Sequence, residues 1–308
     1  MIAAATRPSG VLIVNPGAGR ASTARRLEVV DEVRRRFRVD VYETPARGAG
    51  LEIAAQAAGA RAAAVIAFGG DGLVNEVANA VAGTATALAI VPGGTMNVFA
   101  RALGIPTDPA AALESLVARW ETPRRVPLGR MDDRYFTFSA GCGFDAEAAG
   151  RVERDFRSKR TFGELFFYWS AVRVLAGTYR HRNPSMTLSG DFGEVPVAMA
   201  IGCNAGPYAY LGGRAVKLAP AVTLDGGLDV FALRSMRIEA LPFYAWRAVV
   251  SGDLVHHRDT FYASGLDRFE ISGDTPFARH VDGEPLPPAT SARFEIVPDV
   301  LKVLGAAT

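Results

Sequence analysis

Lysine is nearly missing from this chain. Only Lys159, Lys217 and Lys302 occur among 308 residues, and arginine supplies the rest of the positive charge. No Gly-Lys-Ser or Gly-Lys-Thr exists, so a P-loop nucleotide site is excluded as a sequence match. Cysteine is as scarce: Cys142 and Cys203 stand far apart without neighbouring His or Cys ligands, which argues against zinc and for buried free thiols. No run approaches the roughly 20 apolar residues of a membrane-spanning helix. The N-terminus lacks a basic-then-apolar signal pattern, so a cytoplasmic protein is expected by default. A net charge of +2 is too small to argue for nucleic acid.

What is present is ordinary soluble-protein composition, 49% apolar and 21% charged, in a chain long enough for two cores. The first third repeats a strand–loop–helix grammar. Apolar strands are expected at 11–14, 39–44, 62–68 and 85–91, with helices at 22–37, at 48–58, directly after Gly69-Gly70-Asp71 with Val74, Val77, Ala78 and Val81 as its buried stripe, at 97–103 and at 109–120. Near-continuous apolar strands alternating with helices imply a parallel sheet covered on both faces, with ligands beyond its carboxyl edge. Three strands there end in Gly-rich loops: Asn15-Pro16-Gly17-Ala18-Gly19, Gly69-Gly70-Asp71-Gly72, and Pro92-Gly93-Gly94-Thr95-Met96-Asn97.

From about Val126 the grammar changes to short segments separated by turn residues: 135–139, 185–189, 195–203, 228–233, 268–272 and 293–297. That predicts an antiparallel β domain with helical inserts at 162–175 and 241–254. Residues 300–304 could return to the first domain. The fold class expected is therefore α/β plus all-β, with domains at 1–127 (299–308 returning to it) and 128–298.

The glycines of Gly69-Gly70-Asp71-Gly72 let a phosphate approach the backbone, and the helix that follows offers N–H groups with partial positive charge. Asp71 beside a phosphate is repulsive unless it holds Mg²⁺, orients a ribose or N–H groups, or caps the helix. Asn75 and Glu76 sit one turn on, off the Val74/Val77/Val81 stripe, where solvated helix surface is the plain alternative. Thr95 and Asn97 read equally as turn and N-cap residues, and Asp282-Gly283 as a hairpin turn.

Six motifs in register resemble the diacylglycerol kinase catalytic family of bacterial lipid kinases, related to sphingosine and ceramide kinases. They are Asn15-Pro16-x-x-Gly19, Gly69-Gly70-Asp71-Gly72-x-x-Asn75-Glu76, Pro92-x-Gly94-Thr95-x-Asn97-x-Phe99-Ala100-Arg101-x-x-Gly104-Ile105-Pro106, Gly141-x-Gly143-Phe144-Asp145, Asp225-Gly226-x-Leu228-Asp229-Val230 and Asp282-Gly283-Glu284. The resemblance implies an N-terminal nucleotide-binding domain like those of NAD kinases and phosphofructokinases, and a C-terminal β-sandwich. It implies ATP as phosphoryl donor, Mg²⁺, and a lipid hydroxyl as acceptor at a membrane surface. Nucleotide contacts would fall on Asn15, Pro16, Gly17, Ala18, Gly19, Thr44, Gly69, Gly70, Asp71, Gly72, Leu73, Val74, Asn75, Glu76, Thr95 and Asn97. Mg²⁺ would take the Asp225 carboxylate and main-chain oxygens of Val222 and Gly227. Glu284 would be the proton acceptor, with Asp225 assisting.

The chain departs from the family pattern at Leu73, Val98 and Leu224, where Thr, Asp and Asp are common. His257-Arg258-Asp259 and Asp191-Phe192-Gly193 imitate protein-kinase signatures, but in reversed order and without the catalytic-loop Asn or the strand lysine. Five basic residues within 151–160, followed by Phe162, Phe166, Phe167, Tyr168 and Trp169, read either as a patch for an anionic bilayer or as a solvated run before a core helix. A homodimer is compatible with all of this. Two other readings stay open: an NAD kinase-like enzyme and a catalytically inactive nucleotide- or lipid-binding sensor.

Overall fold

The structure, a computed structural model, describes residues 8–17, 23–143, 146, 186–211, 214–216, 218–235, 241–251 and 253–307. The chain forms two compact units, Met1–Leu128 with Pro298–Thr308, and Gly129–Val297.

The first unit alternates β1 (Ser9–Val14), α1 (Thr23–Arg36), β2 (Arg38–Glu43), α2 (Ala49–Gly59), β3 (Ala64–Gly69), α3 (Asp71–Val81), β4 (Ala87–Pro92), α4 (Val98–Ala102) and α5 (Pro109–Ala118). β4, β3, β1 and β2 lie side by side and all parallel. Both faces are covered, which is why β3 and β4 are buried at every residue. Leu12, Val14, Ile66 and Phe68 pack with Val29, Val33 and Phe37 of the α1 side and Leu113 and Leu116 of α5. The alternate residues Ile13, Val65, Ala67 and Ile90 are equally buried on the face where α2 and α3 contact the sheet. Asp108 starts α5 by accepting the amides of Ala110 and Ala111, with Pro109 inside the first turn. The chain returns late: Val303 and Leu304 pair parallel with Leu88 and Ala89 on the far side of β4.

The second unit is an antiparallel β-sandwich. Its strands are β5 (Arg124–Met131, entering from the first unit), β6 (Arg134–Phe136), β7 (Ser139–Gly143), β8 (Met186–Gly190), β9 (Gly193–Val197), β10 (Met199–Cys203), β11 (Ala209–Leu211), β12 (Arg214–Val216), β13 (Leu228–Leu233), β14 (Thr260–Leu266), β15 (Arg268–Val281) and β16 (Glu284–Leu304). β14, β13, β10, β7 and β15 are successive antiparallel neighbours. β10 and β13 are buried on both faces. Ala200, Val230 and Ala232 face Phe136, Phe269 and Phe294, whereas Met199, Ile201, Phe231 and Leu233 face Leu218, Tyr244 and Leu254. Phe269 stacks on Phe294 with centroids 4.5 Å apart.

The run expected as one segment at 195–203 is two strands. β9 pairs with β8, and the chain then turns at Ala198 so that β10 pairs with β7 and β13. The segments expected at 268–272 and 293–297 are pieces of one long hairpin whose strands carry Pro276, Pro285, Pro287 and Pro288, residues that read as strand breakers. The helix expected at 241–254 is a helix α6 (Leu241–Trp246), a π turn (Arg247–Ser251) and a 3₁₀ turn (Leu254–His256). The expected helix at 162–175 and the basic and aromatic segment at 151–169 lie outside the described residues.

Candidate active site

The Gly-rich loops of the first unit all leave the carboxyl edge of one parallel sheet, because β1, β3 and β4 are parallel neighbours in register. Asn15 closes β1, donating its amide to Phe68 O at 3.0 Å, and its Oδ1 accepts from Gly17 N at 2.9 Å, which shapes the Pro16–Gly17 turn. Ala18 and Gly19 lie outside the described residues. Thr44 follows β2; it is buried, and its amide donates to Val14 O at 2.9 Å.

The second and third loops touch. Gly93 N donates to Gly69 O at 2.8 Å, and a Cβ on Gly94 would stand 2.6 Å from Gly70 Cα. Gly94 is required by backbone meeting backbone, whatever else binds there. Asn97 locks the third loop from within: its Oδ1 accepts Gly94 N at 3.0 Å and its Nδ2 donates to Gly94 O at 2.8 Å. It occupies the N-cap position of α4 in the left-handed conformation, φ 47°, without capping the helix by its side chain. Thr95 is exposed at the tip. Gly94→Ala should therefore force the two loops apart. Overpacking of this kind costs about 1–3 kcal/mol, and the melting temperature should fall by several degrees. An unchanged melt would show that the close approach is not what demands glycine.

Asp71 is the first residue of α3, and Gly70, not Asp71, is its N-cap. The first intrahelical bond is Val74 N to Gly70 O at 3.2 Å; amides preceding such a bond have no partner within the helix and point at whatever lies before it. The Asp71 carboxylate instead reaches the neighbouring loop, where Oδ1 accepts Phe99 N in the first turn of α4 at 3.4 Å. Leu73 and Val74 are core side chains, so any nucleotide contact there is through the main chain. Asn75 and Glu76 are not solvated surface. Both are buried; Glu76 Oε1 accepts Gly48 N at 2.8 Å at the start of α2, and Asn75 receives hydrogen bonds from Asn79. α3 packs on α2 as well as on the sheet, which gives it two buried sides where the apolar stripe shows only one.

In the second unit, Asp282 and Gly283 form the tight turn between β15 and β16, with φ 48° and 81°. The Asp282 side chain is no part of the exposed turn. Oδ2 accepts Thr137 N and Oγ1, both at 2.7 Å, and Oδ1 accepts Phe138 N and Ser139 N, both at 3.0 Å. Burial pushes this carboxyl up from its ordinary range, and the Thr137, Ser139 and Phe138 donors pull it back. Gly283 N donates to Nδ1 of the buried His280 at 3.2 Å. Glu284 thus opens β16 from a turn anchored on both sides, and its carboxylate lies 3.6 Å from the Arg134 guanidinium. Asp225 sits at the exposed apex of a turn between Val222 and Gly227, in which Gly226 N donates to Thr223 O at 3.0 Å.

Residues 9–131 match the model of the diacylglycerol kinase catalytic domain, and residues 139–305 that of the YegS C-terminal NAD kinase β-sandwich-like domain. A protein of Pseudomonas putida named "Probable lipid kinase YegS-like" is 30% identical over 269 residues, 85% of this chain and 84% of its own. The chain belongs to the YegS-like lipid kinase family. A Pseudomonas aeruginosa protein of the same name is 31% identical over 262 residues, 83% of this chain and 81% of its own. A diacylglycerol kinase structure from Bacillus anthracis superposes with TM-score 0.74 at 24% identity over 96% of each chain, a likeness of fold.

Family membership as a YegS-like lipid kinase agrees with the poor showing of the protein-kinase imitations. Asp191-Phe192-Gly193 is the tip between β8 and β9. Asp259 accepts Tyr244 Oη at 2.7 Å and His257 packs edge-on against Phe243 and Tyr244, a local support for α6. Sequence reasoning missed Arg134, the partner of Glu284, and the buried role of Asp282. Neither carries a local signal: Arg134 is one of many arginines, and Asp282 passes for a turn residue.

Proposed function

We propose that this protein is an ATP-dependent lipid kinase that transfers the γ-phosphoryl group to a hydroxyl of diacylglycerol or a sphingoid-like lipid, working peripherally at the inner face of a membrane. Three Gly-rich loops on one edge of a parallel sheet, at the N-terminus of a buried helix, are the observation that carries this reading. That edge suits an anionic nucleotide, because glycines admit a phosphate to the backbone and the helix start directs its amides there. Among those residues no helix is long and apolar enough to cross a membrane.

In the proposed reaction the lipid oxygen forms a bond to the γ-phosphorus as the bond to the β,γ-bridging oxygen breaks. The hydroxyl proton passes to the Glu284 carboxylate, and ADP leaves. Main-chain amides of the first turn of α3, Gly70–Leu73, and of Thr95 take the phosphates, and Asp71 orders them through the contact it makes between loops. Mg²⁺ fits the Val222–Gly227 turn by donor chemistry: one exposed carboxylate, Asp225, and main-chain oxygens are hard ligands, and exposure leaves room for the waters this ion retains. When bound, it would neutralise negative charge on the phosphates. Among the described residues no group of three or more metal-ligating side chains exists.

The deciding experiment is transfer from labelled ATP to a panel of diacylglycerol, monoacylglycerol, sphingosine, ceramide, phosphatidylglycerol and NAD, with and without Mg²⁺. Label on a lipid supports the reading; label on NAD alone, or nucleotide binding with no transfer, overturns it. Asp71→Ala is expected to weaken nucleotide affinity about tenfold, the scale of a lost charge-assisted hydrogen bond, in an equilibrium titration. Wild-type affinity would remove Asp71 from the nucleotide site.

A further inference from the structure

The exposed turn that carries Asp225 is held from behind by a partly buried polar relay that the reaction scheme does not use. Ala221 N, at the start of the turn, donates to Tyr262 Oη at 3.1 Å, and Tyr262 Oη donates to Asp229 Oδ2 at 2.5 Å. Asp229 Oδ1 then accepts Gly265 N at 3.2 Å. Asp229 is 2% exposed, two residues beyond the end of the turn.

The sheet is built to allow this. Leu228 pairs with Leu266 and Val230 with Ala263, so Ser264 and Gly265 together oppose Asp229 in a bulge. The extra residue takes the Gly265 amide out of the ladder and turns it onto the carboxylate. Gly265 has φ 68° and Gly227 φ 86°, and a Cβ on Gly227 would lie 3.0 Å from the Gly265 carbonyl carbon. The end of the turn therefore rests directly on the bulge. At the other end Val222 packs into the core beside Tyr262, and a Cβ on Gly206 would stand 3.0 Å from Val222 Cγ1.

We propose that Tyr262 and Asp229 are positioning residues for the Val222–Gly227 turn, fixing its two ends so that its main-chain oxygens and the Asp225 carboxylate converge on one divalent cation. The inference rests on the assignment of Asp225 made above. Only a hydroxyl can accept from the Ala221 amide and donate to Asp229 at once, so Phe at 262 breaks both links while keeping the ring. A carboxylate accepts from two donors, whereas an amide turns its NH₂ on one of them, so Asp229→Asn breaks one link with little change of volume.

The test is Mn²⁺ binding, with the metal alone, followed by electron paramagnetic resonance on the full chain well below its melting temperature. Wild type should bind, Asp225→Ala should not, and Tyr262→Phe should bind about five- to tenfold more weakly, the worth of one or two buried hydrogen bonds. Nucleotide affinity without metal should stay at the wild-type value, which a general loss of structure would not allow. If Tyr262→Phe fails to fold, Asp229→Asn is held to the same criterion. Mn²⁺ affinity within twofold of wild type in a folded variant overturns the positioning role and leaves the Asp225 site standing. Undiminished binding by Asp225→Ala overturns that site and the proposal with it. Loss of folding in both variants assigns the pair to stability alone and also overturns the proposal.

Discussion

Replacing Asp282 by alanine is expected to unfold the second unit or leave it insoluble. The carboxylate accepts three backbone amides and one hydroxyl at 2.7–3.0 Å, all inside the protein. Each orphaned buried donor costs about 1–3 kcal/mol. The Thr137 hydroxyl can turn to another acceptor, but the amides of Thr137, Phe138 and Ser139 are fixed by the start of β7. A loss of about 4–6 kcal/mol follows, against a total domain stability of about 5–15 kcal/mol. Asp282→Asn is the sharper test. Its amide has one oxygen for four donors, and its NH₂ must face N–H groups, so roughly half the loss is expected despite equal volume. Urea denaturation by circular dichroism reads both. A midpoint for Asp282→Ala equal to wild type would show that the four contacts contribute nothing to stability.

The second large effect concerns turnover. Glu284→Gln keeps shape and volume but cannot take a proton, and general-base catalysis is worth about 10²–10⁴-fold. On the proposed function, single-turnover transfer from ATP should fall by that factor, while nucleotide affinity should stay within about twofold, well inside the 1.4 kcal/mol that a tenfold change represents. The two readouts separate chemistry from binding. More than a tenth of wild-type turnover in Glu284→Gln would move the proton acceptor elsewhere. Asp282 and Glu284 are neighbours with opposite duties. The first is buried to hold the turn, so that the second, at its edge beside Arg134, is held in place.

The alternation of the first unit was legible because its central strands β3 and β4 are buried on both faces and a Gly-rich loop follows each directly. Hydrophobic runs and punctuation coincide there, and boundaries such as Ala64–Gly69 and Ala87–Pro92 fall within two or three residues of expectation. The second unit was legible only as a class. Prolines inside β15 and β16 cut one hairpin into apparent fragments, and β14, with serine and glycine at its bulge, has only Phe261-Tyr262-Ala263 as an apolar run. In the candidate site, residue types and loop positions were readable, but partners were not. That Asn97 turns back on Gly94, that Glu76 serves the amide of Gly48, and that Asp282 is a hub depend on contacts between residues 3, 28 and up to 145 apart. Local patterning carries no information about such pairs.

The parallel pairing of Val303 and Leu304 beside β4 bears on how the polypeptide is made. A ribosome releases residues 1–128 with every Gly-rich loop already present, yet the strand that covers the outer edge of β4 is about 175 residues from synthesis. Gly305 and Ala307 also supply the carbonyls for Ser115 and Arg124. Until they emerge, the nascent first unit carries an open apolar sheet edge of the kind that invites pairing with other chains. Residues 300–307 act as a closing stitch, tying completion of the first unit to prior synthesis of the second.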